Sequence, residues 1–212
     1  MSEASASFGH APQRRPRVLL ATRNQGKIEE LRRILADVID VELVGLAEFP
    51  ELPEVAETGE TFIDNALLKA RDVSERTGLP AIADDSGLCV AHLKGAPGVR
   101  SARWAGEPSD DARNLALVLE QTQNAVNRDA YFACAAAAVV PGKGERTAEG
   151  EMSGTLITAP RGTGGFGYDP IFVAAGYDLT TAEISPAEKD AISHRGKAFR
   201  ALAPMLAELL RN

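Results

Sequence analysis

An α/β fold with a mixed central β-sheet flanked by helices is what this 212-residue sequence predicts. In the first half, short apolar runs alternate with stretches of helical period. In the second, Ala130 to Val140 and Thr147 to Ile157 succeed one another across Pro141-Gly142-Lys143-Gly144, so part of the sheet is antiparallel. The length suits one α/β domain, assigned to residues 17–212, and 44% apolar with 25% charged residues is the balance of a globular chain.

Residues 1–16 are small, polar and Pro-bearing, lack the apolar stretch of a signal peptide, and read as a disordered tail. Val18 to Ala21 is a strand, and Ile28, Leu31, Ile34 and Leu35 recur at helical spacing, so Thr22 to Lys27 bridges strand and helix. Val41 to Leu46 predicts a second strand, and a Pro-rich loop continues through Pro53. Thr61 to Thr77 predicts a helix with Phe62, Ala66, Ala70 and Val73 on one face and Gly78 as its stop. Pro80-Ala81-Ile82 leads a buried strand that is predicted to break into a glycine turn over Ala83-Asp84-Asp85-Ser86-Gly87, with a further strand from Leu88 to Leu93. A Gly-Pro loop spans Gly95 to Gly98, and a helix runs from Asp110 to about Thr122. Ser185-Pro186-Ala187-Glu188 carries an N-cap Ser, Glu three residues on and Pro at the first helical position. The last helix turns Phe199, Leu202, Met205, Leu206 and Leu209 inward.

Several function classes are excluded by composition. A net charge of -7, from 23 basic and 30 acidic residues, argues against a nucleic-acid partner held by a broad basic surface. The longest apolar run, Ala130 to Val140, falls well short of the roughly 20 residues needed to cross a bilayer, so no membrane partner is predicted. Cys89 and Cys134 both lie in apolar runs and read as reduced core residues of a cytoplasmic protein.

Five polar clusters could carry chemistry. Asp84 and Asp85 place adjacent carboxylates beside a buried strand, where they either find donors and cations, or hold a divalent metal, or cap a turn. Thr22-Arg23-Asn24-Gln25-Gly26-Lys27 offers backbone N–H groups at a helix start with a Lys beside them, which is either an anion site or a capped turn. It is not a Walker A loop, since Leu20 and Ile28 stand where Gly and Ser or Thr are needed. Glu57 precedes a helix on which Asn65 and Lys69 share a face, and Lys69 either snorkels out or points its ammonium into a cleft. Gly162 to Pro170 contains a literal G-x-G-x-x-G, but Ile171-Phe172-Val173 stands where a Rossmann helix would begin; the run is a surface hairpin or a loop admitting a planar ligand beside Phe166 and Tyr168. Lys189, His194 and Arg195 give three donors in one short segment. Together, cations around a carboxylate pair with an aromatic Gly loop suit a magnesium-nucleotide site.

These segments, in this order, resemble the inosine triphosphate pyrophosphatase family. The matches are Ala21 to Lys27, Glu57-Thr58-Gly59 through Asn65 to Ala70, Ala83 to Gly87, Gly95 to Gly98 with Ser101-Ala102-Arg103, Gly162 to Pro170, and Ser193 to Gly196. The resemblance implies two lobes around a deep substrate cleft, a homodimer, and Mg2+-dependent hydrolysis of deaminated purine nucleoside triphosphates to monophosphate and pyrophosphate. It implies Asp85 as the catalytic carboxylate and a metal ligand, with Asp84 and Glu57 beside it at the metal and Ser86 touching substrate. Thr22, Arg23, Asn24, Gln25, Gly26, Lys27 and Lys69 would grip the triphosphate. Phe166, Gly167, Tyr168 and Asp169 would hold base and sugar, and Lys189, His194 and Arg195 the base edge. Ala56 stands where bacterial relatives often carry a second acidic residue, which leaves the second metal ligand open. Pyrophosphatases of other nucleotides and non-catalytic nucleotide-binding modules are the alternatives.

Overall fold

The computed structural model of the protein describes residues 15–211; most of the expected N-terminal tail lies outside them. The chain forms one six-stranded mixed sheet from β1 (Arg17–Leu20), β2 (Glu42–Gly45), β3 (Ala81–Val90), β4 (Asp129–Val140), β5 (Gly144–Leu156) and β6 (Phe172–Ala174). The spatial order is β2-β1-β3-β4-β5-β6. β1 pairs in parallel with both β2 and β3, and every later pair is antiparallel. The helices are α1 (Gln25–Ala36), α2 (Phe62–Thr77), α3 (Asp111–Gln121), α4 (Pro186–Ile192) and α5 (His194–Arg211). Among the described residues no helix is long and apolar enough to cross a membrane.

Local chemistry sets the helix ends. Asn24 caps α1 by accepting from the Lys27 N–H at 3.0 Å, and Thr61 with Asp64 forms a reciprocal capping box on α2. Gly78 ends α2 in the left-handed region, and Ser185 with Glu188 caps α4. The capped segment and the last helix are separate helices, parted at Ser193, which adopts an extended conformation between α4 and α5.

Side-chain alternation along β1, β3 and β4 feeds two cores on opposite faces of the sheet. Val18, Leu20, Ile82, Ala136 and Ala138 pack against α1 and α5, through Leu31, Phe199 and Leu202. Leu19, Ala81, Ala83, Ala135 and Ala137 pack against Ala66, Ala70 and Val73 of α2. The far ends of β3, β4 and β5 enter a third core with Val118 of α3 and Phe172 of β6. Long central strands thus run from the first two cores into the third.

The predicted break at residues 83–87 is absent. β3 runs unbroken through Asp84, Asp85, Ser86 and Gly87, and pairs residue for residue with β4 from Ala81↔Val139 to Val90↔Ala130. The glycine serves close approach and makes no turn: a Cβ at position 87 would lie 2.3 Å from the Gly98 carbonyl oxygen and 2.4 Å from Ser101 Oγ. The Ser101 hydroxyl sits in that gap and accepts from the Leu88 N–H at 2.9 Å. Past Val90 the chain enters a short 3-10 turn, Ala91–Leu93, where the sequence predicts strand.

Candidate active site

Because β3 passes straight through, Asp84 and Asp85 point to opposite faces of the sheet. Asp84 shares its face with Ile82, beneath α1 and α5, while Asp85 faces α2 with Ala81 and Ala83. The two carboxylates therefore meet different partners.

Asp84 is fully enclosed. Its Oδ2 receives Lys27 Nζ at 3.0 Å, Arg195 Nε and Nη2 each at 3.2 Å, and the Ser86 hydroxyl at 3.1 Å. Burial alone would push its pKa up, but Lys27 and Arg195 outweigh that and hold the carboxyl far below the usual range. From Asp84 the charges continue in alternating sign. Arg195 also donates to Glu30, Glu30 accepts Lys189 at 2.8 Å, and Lys189 pairs with Asp169. The ladder Lys27–Asp84–Arg195–Glu30–Lys189–Asp169 holds three cations and three anions, nearly all buried. Asp169 in turn accepts the Phe166 N–H at 2.8 Å and the Thr181 hydroxyl at 2.8 Å, which fastens the Gly-rich loop to the ladder.

Asp85 is held more loosely. Asn65 donates to its Oδ2 at 3.0 Å, and Lys69 Nζ stands 3.5 Å from Oδ1 while bonding Glu57 at 2.9 Å. Asn65 is oriented for this by accepting the Gly59 N–H at 2.7 Å through its own carbonyl oxygen. Burial raises the pKa of Asp85, the nearby Glu57 adds to the rise, and Lys69 and Lys27 only partly offset it. A raised pKa makes this carboxylate a better proton acceptor than an exposed aspartate. Lys69 thus takes the second of its two sequence readings: its ammonium points into the cleft between two carboxylates.

Two connected clefts meet at this point. One, of about 730 Å³, is lined by Gly87, Phe132, Phe166, Tyr168 and His194 as well as by Asp85. The other, of about 1300 Å³, is lined by Thr22, Arg23, Asn24, Lys69 and Arg103. Asn24, Lys27 and Glu57 line both. An aromatic pocket with Asp85 in its wall, next to a channel that shares Asn24, Lys27 and Glu57 with it, is a shape for a base joined to a phosphate chain.

The aromatic side is built tightly. Phe166 lies against the start of α1, where a Cβ on Gly26 would stand 2.6 Å from its ring, and Lys189 and Arg195 sit over the same ring at 5.0 and 5.6 Å. The Tyr168 hydroxyl donates to the Ser101 carbonyl at 2.7 Å, and Asp111 of α3 accepts the Gly167 N–H at 2.9 Å. His194 stacks on Phe132 with ring centroids 4.9 Å apart, and its Nδ1 has no hydrogen-bond partner among the described residues. Burial, reinforced by Arg195 and Lys189, drives its pKa well down, so the imidazole is neutral. Arg195 donates four hydrogen bonds, to Asp84, Glu30 and Ser86, and so retains one of the five N–H groups a guanidinium carries.

On the channel side, Thr22, Arg23, Asn24 and Lys27 line the cleft, Gln25 and Gly26 do not, and Arg23 is turned to the Leu52 carbonyl at 2.6 Å. Gln25 is the first residue of α1 and is exposed. Glu30 and Arg103, like Phe132 and Asp111, are contributors that sequence reasoning left without a role. Glu30 reads as an ordinary helix glutamate beside exposed Glu29, and nothing local reveals partners far along the chain. Arg103 belongs to the Ser101-Ala102-Arg103 match, but its local sequence gives no hint that it bonds Glu57 Oε2 at 3.1 Å.

The donor set suits a hard divalent cation. Among the described residues no three His, Cys, Asp or Glu side chains form a metal cage. Glu57 and Asp85 nonetheless face one cleft across Lys69, and an ion such as Mg2+ takes one or two carboxylates with substrate phosphates completing its shell. Asp84 suits it poorly, being shut from solvent and already neutralised by Lys27 and Arg195.

Comparison with known proteins agrees with this geometry. The Ham1 family model matches residues 18–205. The dITP/XTP pyrophosphatase of Streptomyces coelicolor is 58% identical over 197 residues, covering 92% of this chain and 98% of the relative. Among solved structures, the Staphylococcus aureus Ham1 protein superposes with a TM-score of 0.80 at 37% identity, covering 91% of this chain and 98% of that one. The crystal structure of the nucleoside-triphosphatase or dITP/XTP pyrophosphatase of Mycobacterium abscessus gives 0.71 at 50% identity, covering 89% and 100%.

Proposed function

The chain belongs to the Ham1 family, and from that premise we propose that it hydrolyses deaminated purine nucleoside triphosphates, those of inosine and xanthosine and their deoxy forms, to the monophosphate and pyrophosphate. The observation that carries the reading is Asp85, a carboxylate of raised pKa in the wall of an aromatic pocket and 3.5 Å from Lys69 of the adjoining cationic channel.

In this reading the base enters beside Phe132, Phe166 and His194, and the phosphates lie along Thr22 to Lys27 and Lys69. Glu57 and Asp85 would hold Mg2+, which when bound supplies charge neutralisation at the phosphates. Asp85 accepts the proton of a water attacking the phosphoanhydride. Asn65 fixes the Asp85 carboxyl plane, and Lys69 offsets charge that builds on the leaving pyrophosphate. Lys27 and Arg195 keep Asp84 from competing for that proton by holding it ionised on the other face. The neutral His194 and the remaining Arg195 N–H are donors for a 6-keto oxygen. Adenine presents an amino group there, and unpaired buried donors of this kind discriminate by on the order of 10⁴. Asp169 and Lys189 act one step back, by fixing the loop that carries Phe166 and Gly167. The same reading takes a cytoplasmic homodimer as the working unit, and light scattering on the purified chain checks the dimer.

The test is pyrophosphate release from the triphosphates of inosine, xanthosine and adenosine, with Mg2+ and with chelator. Release from the first two alone, dependent on the metal, is the expected result. Equal release from ATP would keep the chemistry and refute the base selection, and binding without release would favour a nucleotide-binding module.

A further inference from the structure

Glu57 has both carboxylate oxygens occupied by cations of this chain, and the two cations differ. Lys69, on Oε1 at 2.9 Å, rises from inside α2, is 11% exposed and also faces Asp85. Arg103, on Oε2 at 3.1 Å, closes the 3-10 turn Gly98–Arg103 and is 42% exposed. Its other partner, Glu107, is 3.6 Å away and 70% exposed. An exposed pair of this kind is weak and easily exchanged. Arg103 also lines the cationic channel together with Thr22, Asn24, Lys27 and Lys69.

A divalent cation at Glu57 would repel a guanidinium at the other oxygen, while a phosphate chain in the same channel would attract it with paired N–H donors. We propose that Arg103 occupies Glu57 in the place of the divalent cation while the site holds no nucleotide, and transfers to the phosphate chain when the metal-nucleotide enters, so that Arg103 is a phosphate-binding residue. This rests on the reading of Glu57 and Asp85 as metal carboxylates. The exchange gives the channel a cation in either state and links metal entry to phosphate capture through one side chain.

The experiment measures Mn2+ binding to the nucleotide-free protein by calorimetry for wild type, Arg103→Ala and Arg100→Ala, together with KM and kcat for inosine triphosphate with Mg2+. Arg100 lines the neighbouring cleft with Glu57 and controls for the loss of one positive charge. Arg103→Ala should bind Mn2+ about fivefold more tightly, because its competitor is gone, and yet show a KM raised about tenfold. Arg100→Ala should move both by less than about twofold. Unchanged or weaker Mn2+ binding by Arg103→Ala, an unchanged KM, or an equal shift in Arg100→Ala would overturn the proposal. Should wild type hydrolyse no nucleotide, the functional reading falls, whereas tighter Mn2+ binding by Arg103→Ala would still uphold the exchange at Glu57.

Discussion

The two faces of β3 at Asp84 and Asp85 differ as sharply as any two regions of the protein. On one, a carboxylate closed off from solvent is surrounded by Lys27, Arg195 and Ser86 and held ionised. On the other, its chain neighbour meets Asn65, Lys69 and Glu57 at the wall of a cleft, and its affinity for a proton is raised. Adjacent aspartates on a turn would share one environment and repel. On an unbroken strand, alternation gives each its own, so that one carboxylate anchors buried cations and the other faces the cleft.

Substitutions that treat the two faces alike should expose the difference. Asp85→Asn should lower kcat by about 10⁴, or ~5 kcal/mol, since both a proton acceptor and a proposed metal ligand are lost. Its thermal midpoint should hold steady or rise, because burial penalises the charged carboxylate that the change removes. Asp84→Asn should do the reverse in kind. It leaves Lys27 and Arg195 with an uncompensated buried charge, and urea unfolding should show a loss of about 3–5 kcal/mol. If instead Asp84→Asn kept full stability, the ladder would not anchor the fold.

The faces also separate by pH. The folded pKa of Asp84 lies below its unfolded value of about 3.9, so its stabilisation is complete above that value and fades as pH falls through and below it. Glu30, lowered despite its burial by Arg195 and Lys189, has the same sign. Asp85 has the opposite sign: its charge opposes folding near neutral pH, and that cost is relieved on acidification. With chelator present, the wild-type melting temperature should fall progressively as pH drops below about 4.5, and folded Asp84→Asn should show a shallower slope. The smallest effect is expected at Arg71 and Glu145, an ion pair out in solvent. Glu145→Ala should cost no more than about 1 kcal/mol by chemical denaturation, which measures what enclosure adds to the Asp84 contacts.

The sequence disclosed whatever is encoded locally. The cap at Ser185, the stop at Gly78 and the hairpin between β4 and β5 stand where residue type places them. The polar clusters were visible as separate groups, and the fold brings Lys27, Lys69, Asp84, Asp85, Lys189 and Arg195 together. The structure of β3 was not legible, because the need for Gly87 comes from Gly98 and Ser101, and a glycine demanded by a distant neighbour looks the same in sequence as one demanded by a turn. Glu30 stayed hidden for a similar reason: its partners lie on α4 and α5, near the opposite end of the chain.

The alternating ladder from Lys27 to Asp169 has a parity that governs which mutational routes are open to it. With every interior member flanked by opposite charges, any one-step replacement that removes a charge leaves an odd count in the interior, and only paired replacements restore the balance. Laboratory evolution of this scaffold toward other bases should therefore find single beneficial changes among Phe132, Tyr168 and the loop backbone. Variation within the ladder would have to come as coupled double changes, with the intermediate genotypes selected against through poor folding before their specificity could be sampled.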